Sequence, residues 1–157
     1  MKLTPQERRV LQRMAPGVLC REGFLGGDVR PLPEILDTDR AAVDRLGTTH
    51  AELAGCLGRA CEAARAALGR QVTLAGGLTA VYREAMGIIP CPWGDGVKLP
   101  KGEVELTDPA AGGKLLFTPL SVHLIEEHGF YQGRGSRYRV EPAEVHRLFR
   151  LARGADE

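Results

Sequence analysis

The sequence predicts an α+β fold in which N-terminal helices precede a small antiparallel β-sheet packed with two C-terminal helices. Three observations lead to this prediction. Apolar residues recur at helical spacing through residues 1–70, whereas apolar and polar residues alternate after Gly69. Helix start signals then return at Thr118 and Glu141, each followed by a proline that suits the first helical turn.

The composition is that of an ordinary globular protein, with 43% hydrophobic and 26% charged residues. The 157 residues fit a single domain over 1–157, which we divide into a helical half (1–70), a sheet with helices (71–152) and a frayed tail (153–157). The formal net charge is +1, so no global field attracts nucleic acid, and we do not expect a nucleic-acid partner.

Neither a signal peptide nor a membrane span is visible in the sequence. The N-terminus becomes charged at once, and no apolar run approaches the roughly 20 residues of a spanning helix. The four cysteines form no Cys-x-x-Cys pair, and we interpret them as small reduced thiols. We therefore expect a cytoplasmic protein that has no membrane partner.

Three helices are predicted in the first half. Thr4 and Glu7 form a capping box for the first helix. The second helix covers Pro31 to Leu46, and its apolar stripe is interrupted at Asp37-Thr38-Asp39, which we interpret as helix-capping residues. The third helix is capped by Thr49.

The third helix, over residues 49–68, has a slim face of alanine and cysteine. Such a face suits close packing within the chain or an oligomer interface. Exposure of Leu53, Leu57 and Leu68 in the monomer would favour the interface.

Alternation of apolar and polar residues predicts the strands. Gly76-Gly77 is a two-residue hairpin signal, so residues 78–86 are interpreted as a returning strand, with a helix as the alternative. Residues 87–102 are rich in proline and glycine and predict a rigid loop. The other expected strands are 71–74, 103–107 and 114–117.

The helix after Thr118 ends at Gly129, a natural left-handed cap, and carries two histidines. Zinc motifs of a related kind place two histidines four residues apart on one helix face. His123 and His128 are five apart, about 140° around the helix axis, so we do not expect them to share a metal. His123 with Glu127 has the required spacing. We interpret His128 as capping the last turn, with His123, Glu126 and Glu127 facing outward, and expect neither a metal nor a cofactor.

The segment 133–139, which we name the Gly-Arg loop, is the strongest candidate for anion binding. Its glycines let backbone N–H groups approach a phosphate or carboxylate, its arginines add bidentate donors, and its serine adds a hydroxyl. Two neighbouring tyrosines can stack on a ring. The alternative is a turn whose arginines pair with nearby glutamates. The ligand-binding candidates are Tyr131, Arg134, Ser136, Arg137, Tyr138, Arg139 and, from the preceding loop, Trp93.

Cys91 stands between two prolines and precedes the only tryptophan; we name residues 91–97 the Cys-Pro-Trp loop. A thiol on a rigid loop can be a nucleophile when a histidine lies nearby, and a Cys-Pro dipeptide can also ligate haem. A small buried residue that anchors the loop is the interpretation we favour, because free cysteines are usually buried.

The chain resembles a family of uncharacterised bacterial cytosolic proteins. The residues that carry the resemblance are Ile89 to Asp95, His123 to Arg139 and, near the N-terminus, Phe24 to Asp28 with Arg30 to Leu32. The resemblance covers most of the chain and implies no known activity. It implies that the Cys-Pro-Trp loop and the Gly-Arg loop belong to one module.

Three functional hypotheses follow. The first is a non-enzymatic domain that binds an anionic small molecule or an acidic partner surface at the Gly-Arg loop, with the Cys-Pro-Trp loop as a wall. The second is a hydrolase, with or without a metal, that uses His123 or His128 with Glu127, Cys91 and Asp95; it requires these groups within about 3 Å hydrogen-bond reach. The third is a subunit of a larger assembly.

Overall fold

The computed structural model of the chain describes residues 3–151. Within this range the chain forms an α+β fold, as the sequence predicts, with three helices before the strands and two after them. The helices are α1 (Pro5–Met14), α2 (Leu32–Leu46), α3 (His50–Ala66), α4 (Pro119–His128) and α5 (Pro142–Leu148). The tail predicted for 153–157 lies outside the described residues, and no described helix has the length and apolar character that crossing a membrane requires.

The strands form two antiparallel sheets. They are β1 (Val72–Thr73), β2 (Thr79–Arg83), β3 (Ile88–Pro90), β4 (Lys98–Pro100), β5 (Glu103–Thr107) and β6 (Lys114–Phe117). The larger sheet has the order β1-β2-β5-β6, and β3 pairs with β4 alone. The open choice for residues 78–86 is settled in favour of a strand, because β2 pairs with β1 across the glycine turn and with β5.

The β3–β4 pair lies inside the segment expected to be a rigid loop. Ile88 pairs with Pro100 and Pro90 with Lys98, so each strand carries a proline at one end of a three-residue ladder. Proline is confined to strand ends and edges because it cannot donate to the ladder. This short hairpin carries the Cys-Pro-Trp loop at its tip.

The larger sheet packs one face against α3. Alternate residues of β2, β5 and β6 are buried, as a half-buried antiparallel sheet requires. Leu53 and Leu57 of α3 are fully buried against this face, while Leu68 is exposed. The apolar face of the third helix is therefore used inside the chain, and an oligomer through 49–68 stays a hypothesis.

A second core joins α1, α2 and α4 with the β3–β4 hairpin. Met14, Ile35, Leu124, Phe130 and Cys91 belong to this buried cluster. Because Cys91 is part of it, the Cys-Pro-Trp loop is fixed against the end of α4.

Local chemistry sets the limits of α4. Thr118 forms a capping box with Ser121, and Gly129 at φ 61° ends the helix in the left-handed conformation, as predicted. The Phe130 N–H donates to the Leu124 carbonyl, which completes the cap. The position of His128, at the last helical residue, follows from this cap.

The helix α2 is continuous, which corrects the interpretation of Asp37-Thr38-Asp39 as capping residues. Asp39 lies in mid-helix, is 4% exposed, and accepts two hydrogen bonds from Arg139. A buried carboxylate requires such a partner, and the partner here stands 100 residues further along the chain.

Candidate metal centre

Four side chains with donor atoms suited to a transition metal meet where the Cys-Pro-Trp loop crosses the end of α4. The cluster comprises Cys91, Asp95, His123 and His128, whose donor atoms all lie within 4.8 Å of one another. Asp95 Oδ2 lies 2.8 Å from His123 Nε2 and 2.9 Å from His128 Nε2. Cys91 Sγ lies 3.5 Å from His128 Nε2.

The two histidines converge although they are five residues apart, so the expectation that this spacing keeps them from sharing a metal is wrong in its premise. The 140° separation describes positions on the helix cylinder, whereas the Nε2 atoms lie further out on long side chains. Both rings lean toward one carboxylate oxygen, with 5.4 Å between their centroids. His123 therefore does not face outward as expected, and is only 14% exposed.

Backbone hydrogen bonds hold the Cys-Pro-Trp loop in a closed turn. The Cys91 N–H donates to the Val97 carbonyl at 2.9 Å, and the Gly94 N–H donates back to the Cys91 carbonyl at 3.1 Å. The Val97 N–H also donates to Asp95 Oδ1 at 3.0 Å, which leaves Oδ2 for the histidines. From α1, Arg13 donates to the Pro92 carbonyl. Hydrogen bonds within the protein thus fix the conformation of the loop.

Trp93 stacks on one of the two imidazoles. Its ring lies 4.3 Å from the His128 ring, with 7° between the planes, and meets Phe130 edge-on at 5.4 Å. The tryptophan therefore orients His128 and covers it on one face. It lies at the candidate metal centre and does not line the cavity beside the Gly-Arg loop.

The electrostatics of the cluster favour a carboxylate and a neutral thiol. Burial alone would raise the pKa of Asp95, but hydrogen bonds from His128, the Val97 N–H and His123 outweigh it and hold the pKa well below its usual range. Burial raises the pKa of the Cys91 thiol to about 12. A cysteine nucleophile needs the opposite shift, so this geometry does not support Cys91 as a metal-free nucleophile.

Glu127 stays outside the cluster. It is exposed, as is Glu126, and it lines a cleft of about 310 Å³ together with His50 and His128. The pair His123 and Glu127, which has the helical spacing of a shared site, does not form one here. Of the proposed catalytic residues, the structure brings together Cys91, His123 and His128, with Asp95 as the group that joins them.

The arginines of the Gly-Arg loop do not converge on one point. Arg139 is bound by Asp39 and Glu141, and Arg137 by Glu103. Arg134 is exposed, and its backbone N–H donates to Asp28 Oδ2 at 3.0 Å. Pairing of Arg139 with Glu141 matches the alternative interpretation of this loop as a turn stabilised by nearby glutamates.

The other candidates around this loop also have partners inside the chain. Tyr131 is buried, and its hydroxyl lies 2.8 Å from His50 Nδ1, so its ring is not available for stacking on a ligand. Tyr138 donates to Glu103 at 2.7 Å, and Ser136 donates to Gln132 at 2.6 Å. Tyr138 and Ser136 do line a cavity, which is described below.

The Gly-Arg loop packs on the loop 24–28. A Cβ added at Gly26 would collide with the backbone of Ser136, and one at Gly133 with the backbone of Leu25. The Gly133 N–H donates to the Phe24 carbonyl at 3.0 Å. Glycines at these positions thus serve close contact between two backbones, and not contact with a phosphate.

Comparison of the chain with family models, with curated proteins and with solved structures finds no match. The resemblance to uncharacterised bacterial cytosolic proteins therefore stays a prediction.

Proposed function

We propose that this protein binds one transition-metal ion of the zinc type through Cys91, Asp95, His123 and His128. The observation that carries the proposal is the convergence of four donor atoms within 4.8 Å. Thiolate, imidazole and carboxylate are the ligands that zinc takes in proteins, and four protein ligands make the closed, tetrahedral kind of site. A thiolate with two imidazoles favours zinc over magnesium or calcium.

The predicted effect of the ion is to join two segments. Cys91 and Asp95 lie in the Cys-Pro-Trp loop, and His123 and His128 lie on α4. An ion held by all four would cross-link the β3–β4 hairpin to the helix. At a free zinc concentration 100 times the dissociation constant, the added stability is about 2.7 kcal/mol. For a chain of this size we expect the melting temperature to rise by about 5–11 °C.

Titration of the chelator-treated protein with Co²⁺ tests the site directly. We expect one equivalent to bind with the absorption of tetrahedral cobalt and a thiolate-to-cobalt charge-transfer band. Cys91→Ser should abolish that band, whereas Cys20→Ser, which changes a thiol outside the cluster, should retain it. His128→Gln should weaken zinc binding by about 100-fold or more, beyond what loss of an orienting partner costs. Unchanged binding by both Cys91→Ser and His128→Gln would refute the site.

Metal-assisted hydrolysis is the second candidate function. The observation that favours it is a cleft of about 310 Å³ that reaches the cluster at His128 and is also lined by the exposed Glu127. Asp95, the most exposed ligand at 28%, is the one best placed to yield a coordination position to water. A carboxylate base that reaches a metal-bound water typically contributes 10²–10⁴-fold in rate, and Glu127 is the candidate for that base.

Turnover of p-nitrophenyl acetate by the zinc-loaded protein distinguishes the two functions. If the site is hydrolytic, Glu127→Gln lowers the rate by about 100-fold or more and leaves zinc affinity unchanged. If zinc-dependent turnover is absent, or Glu127→Gln does not affect it, the hydrolytic function fails and metal binding is unaffected.

A further inference from the structure

A second cavity of about 310 Å³ lies between the loop after α1, the start of α4 and the Gly-Arg loop. Its volume falls at the lower end of the range for small-molecule sites. None of the four proposed metal ligands lines it. It is therefore a separate feature, and the inference drawn from it does not depend on metal binding.

Gln132, which lines this cavity, has an unusual backbone conformation. Its backbone is left-handed, at φ 71°, which is uncommon for a residue other than glycine. The residue is only 4% exposed. Backbone strain of this kind persists where surrounding contacts impose it, and here the Gln132 carbonyl accepts a hydrogen bond from Arg139 at 2.9 Å.

The side-chain amide of Gln132 has an unused donor. Its oxygen accepts from the Ser136 hydroxyl at 2.6 Å, but within residues 3–151 its nitrogen has no hydrogen-bond partner. No side-chain nitrogen or oxygen of the described residues is both fully buried and unpaired, so this nitrogen has accessible surface, and Gln132 lines the cavity. Two amide N–H groups are thus available to an acceptor there.

The charge of the cavity is positive. Arg21, Lys101 and Arg137 line it, against Glu22 as the single acidic lining residue. Arg137 is paired with Glu103, whereas the side chains of Arg21 and Lys101 make no hydrogen bond or ion pair with any described residue. These two exposed cations can pair with an anionic group at the mouth of the cavity.

The floor of the cavity is apolar. Phe24, Ile89 and Leu120 line it and are almost completely buried. An apolar floor with a few polar groups that fix orientation is the usual composition of a small-molecule site. A ligand that matches both the apolar floor and the positively charged mouth of the cavity has an apolar body and one anionic oxygen-bearing group.

We propose that this cavity binds a small organic carboxylate, with its apolar body on Phe24, Ile89 and Leu120 and its carboxylate on Gln132, Lys101 and Arg21. The proposal narrows anion binding to one end of the Gly-Arg loop, where Ser136, Arg137 and Tyr138 shape the wall. Arg134 and Arg139 do not line the cavity.

Titration of the isotope-labelled protein with octanoate, followed by NMR, tests the proposal, and octanol is the matched neutral probe. We expect octanoate to shift the Gln132 side-chain amide and the backbone amides of 20–24 and 132–138, and octanol to bind about tenfold more weakly. Equal binding of octanol, or shifts elsewhere only, would overturn it. A response confined to zinc-loaded protein would place the carboxylate on the metal and would also overturn it.

Two variants with one control locate the carboxylate. Gln132→Gly removes the donor and suits a left-handed backbone, so the fold should persist while octanoate binding weakens about tenfold or more. Lys101→Gln changes an exposed side chain and should weaken binding several-fold. Arg70→Gln, an exposed cation outside the cavity, should leave binding unchanged. If both cavity variants bind octanoate as tightly as Arg70→Gln does, the assignment is wrong.

Discussion

Replacement of Arg139 by methionine should cost more stability than removal of any exposed arginine. Arg139 is 10% and Asp39 6% exposed at the side chain, and two hydrogen bonds of 2.6 and 2.9 Å join them. Arg139→Met leaves the Asp39 charge buried without its partner and also removes a donor to the Gln132 carbonyl. Loss of one member of a buried ion pair typically costs about 3–5 kcal/mol.

Urea unfolding followed by circular dichroism measures this loss. With an m-value of about 2 kcal/mol/M, the midpoint should fall by about 1.5–2.5 M. Arg40→Met, on the same helix as Asp39, is the control. The side chains of Arg40 and of its partner Asp37 are 67% and 70% exposed, so this pair should contribute less than about 1 kcal/mol. The double variant Asp39→Leu with Arg139→Met removes both charges and should recover most of the loss. If Arg139→Met unfolds no earlier than Arg40→Met, the argument from burial is wrong.

Three further predictions concern the loops around the two sites. Hydrogen bonds from Arg30 are the main reason that the pKa of the Asp28 carboxyl lies below its usual range. The ionised carboxyl therefore stabilises the fold fully at pH values above its unfolded-state pKa of about 3.9. This contribution is lost as the pH falls from there through the lower folded-state pKa. The stability advantage over Asp28→Asn, measured by urea unfolding, should therefore shrink below about pH 4; a constant difference would exclude this linkage. Gly26→Ala should lower the free energy of unfolding by at least about 2 kcal/mol. The new Cβ would collide with the Ser136 backbone, and the backbone of residue 26 is left-handed, at φ 58°. Gly27→Ala, with nothing within 4 Å of the new atom, is the control, and equal thermal stability of the two variants would contradict the contact. Trp93→Leu should weaken zinc binding about tenfold in a competition titration by releasing the His128 ring; an unchanged affinity would show that the stacking does not orient the ligand.

Much of the fold could be predicted because local chemistry determines it. Thr118, Pro119 and Gly129 specify both ends of α4 through capping and a left-handed conformation, and neither requires a distant partner. The strands of the larger sheet alternate because one face is buried, so their pattern is visible in the sequence. The predicted strand Thr79–Arg83 is confirmed, since it pairs with β1 across the turn that contains Gly76 and Gly77.

What could not be predicted depends on contacts between distant segments. The β3–β4 strands are three residues long and end in proline, so their pattern is too short to differ from a loop. In the sequence, Asp39 cannot be told from a solvent-exposed charged residue of a helix. Its burial depends on Arg139, which lies 100 residues further along the chain. Convergence of His123 and His128 requires the Asp95 carboxylate between them, and no spacing within α4 contains that information.

The two proposed sites share a structural requirement, namely that loops be fixed by groups other than the ligand-binding ones. At the metal centre, Arg13 and the turn hydrogen bonds hold the Cys-Pro-Trp loop while Asp95 Oδ2 stays directed at the histidines. At the cavity, the buried pair of Arg139 and Asp39 holds the Gln132 carbonyl while the amide nitrogen stays open. Sites are more effective when a supporting layer fixes their geometry beforehand. The arginine and glycine content of the Gly-Arg loop, which suggests direct anion contact in the sequence, is therefore better explained for two residues by structural support. Arg139 holds the Gln132 carbonyl, and Gly133 allows the loop to pack closely on the backbone of Leu25.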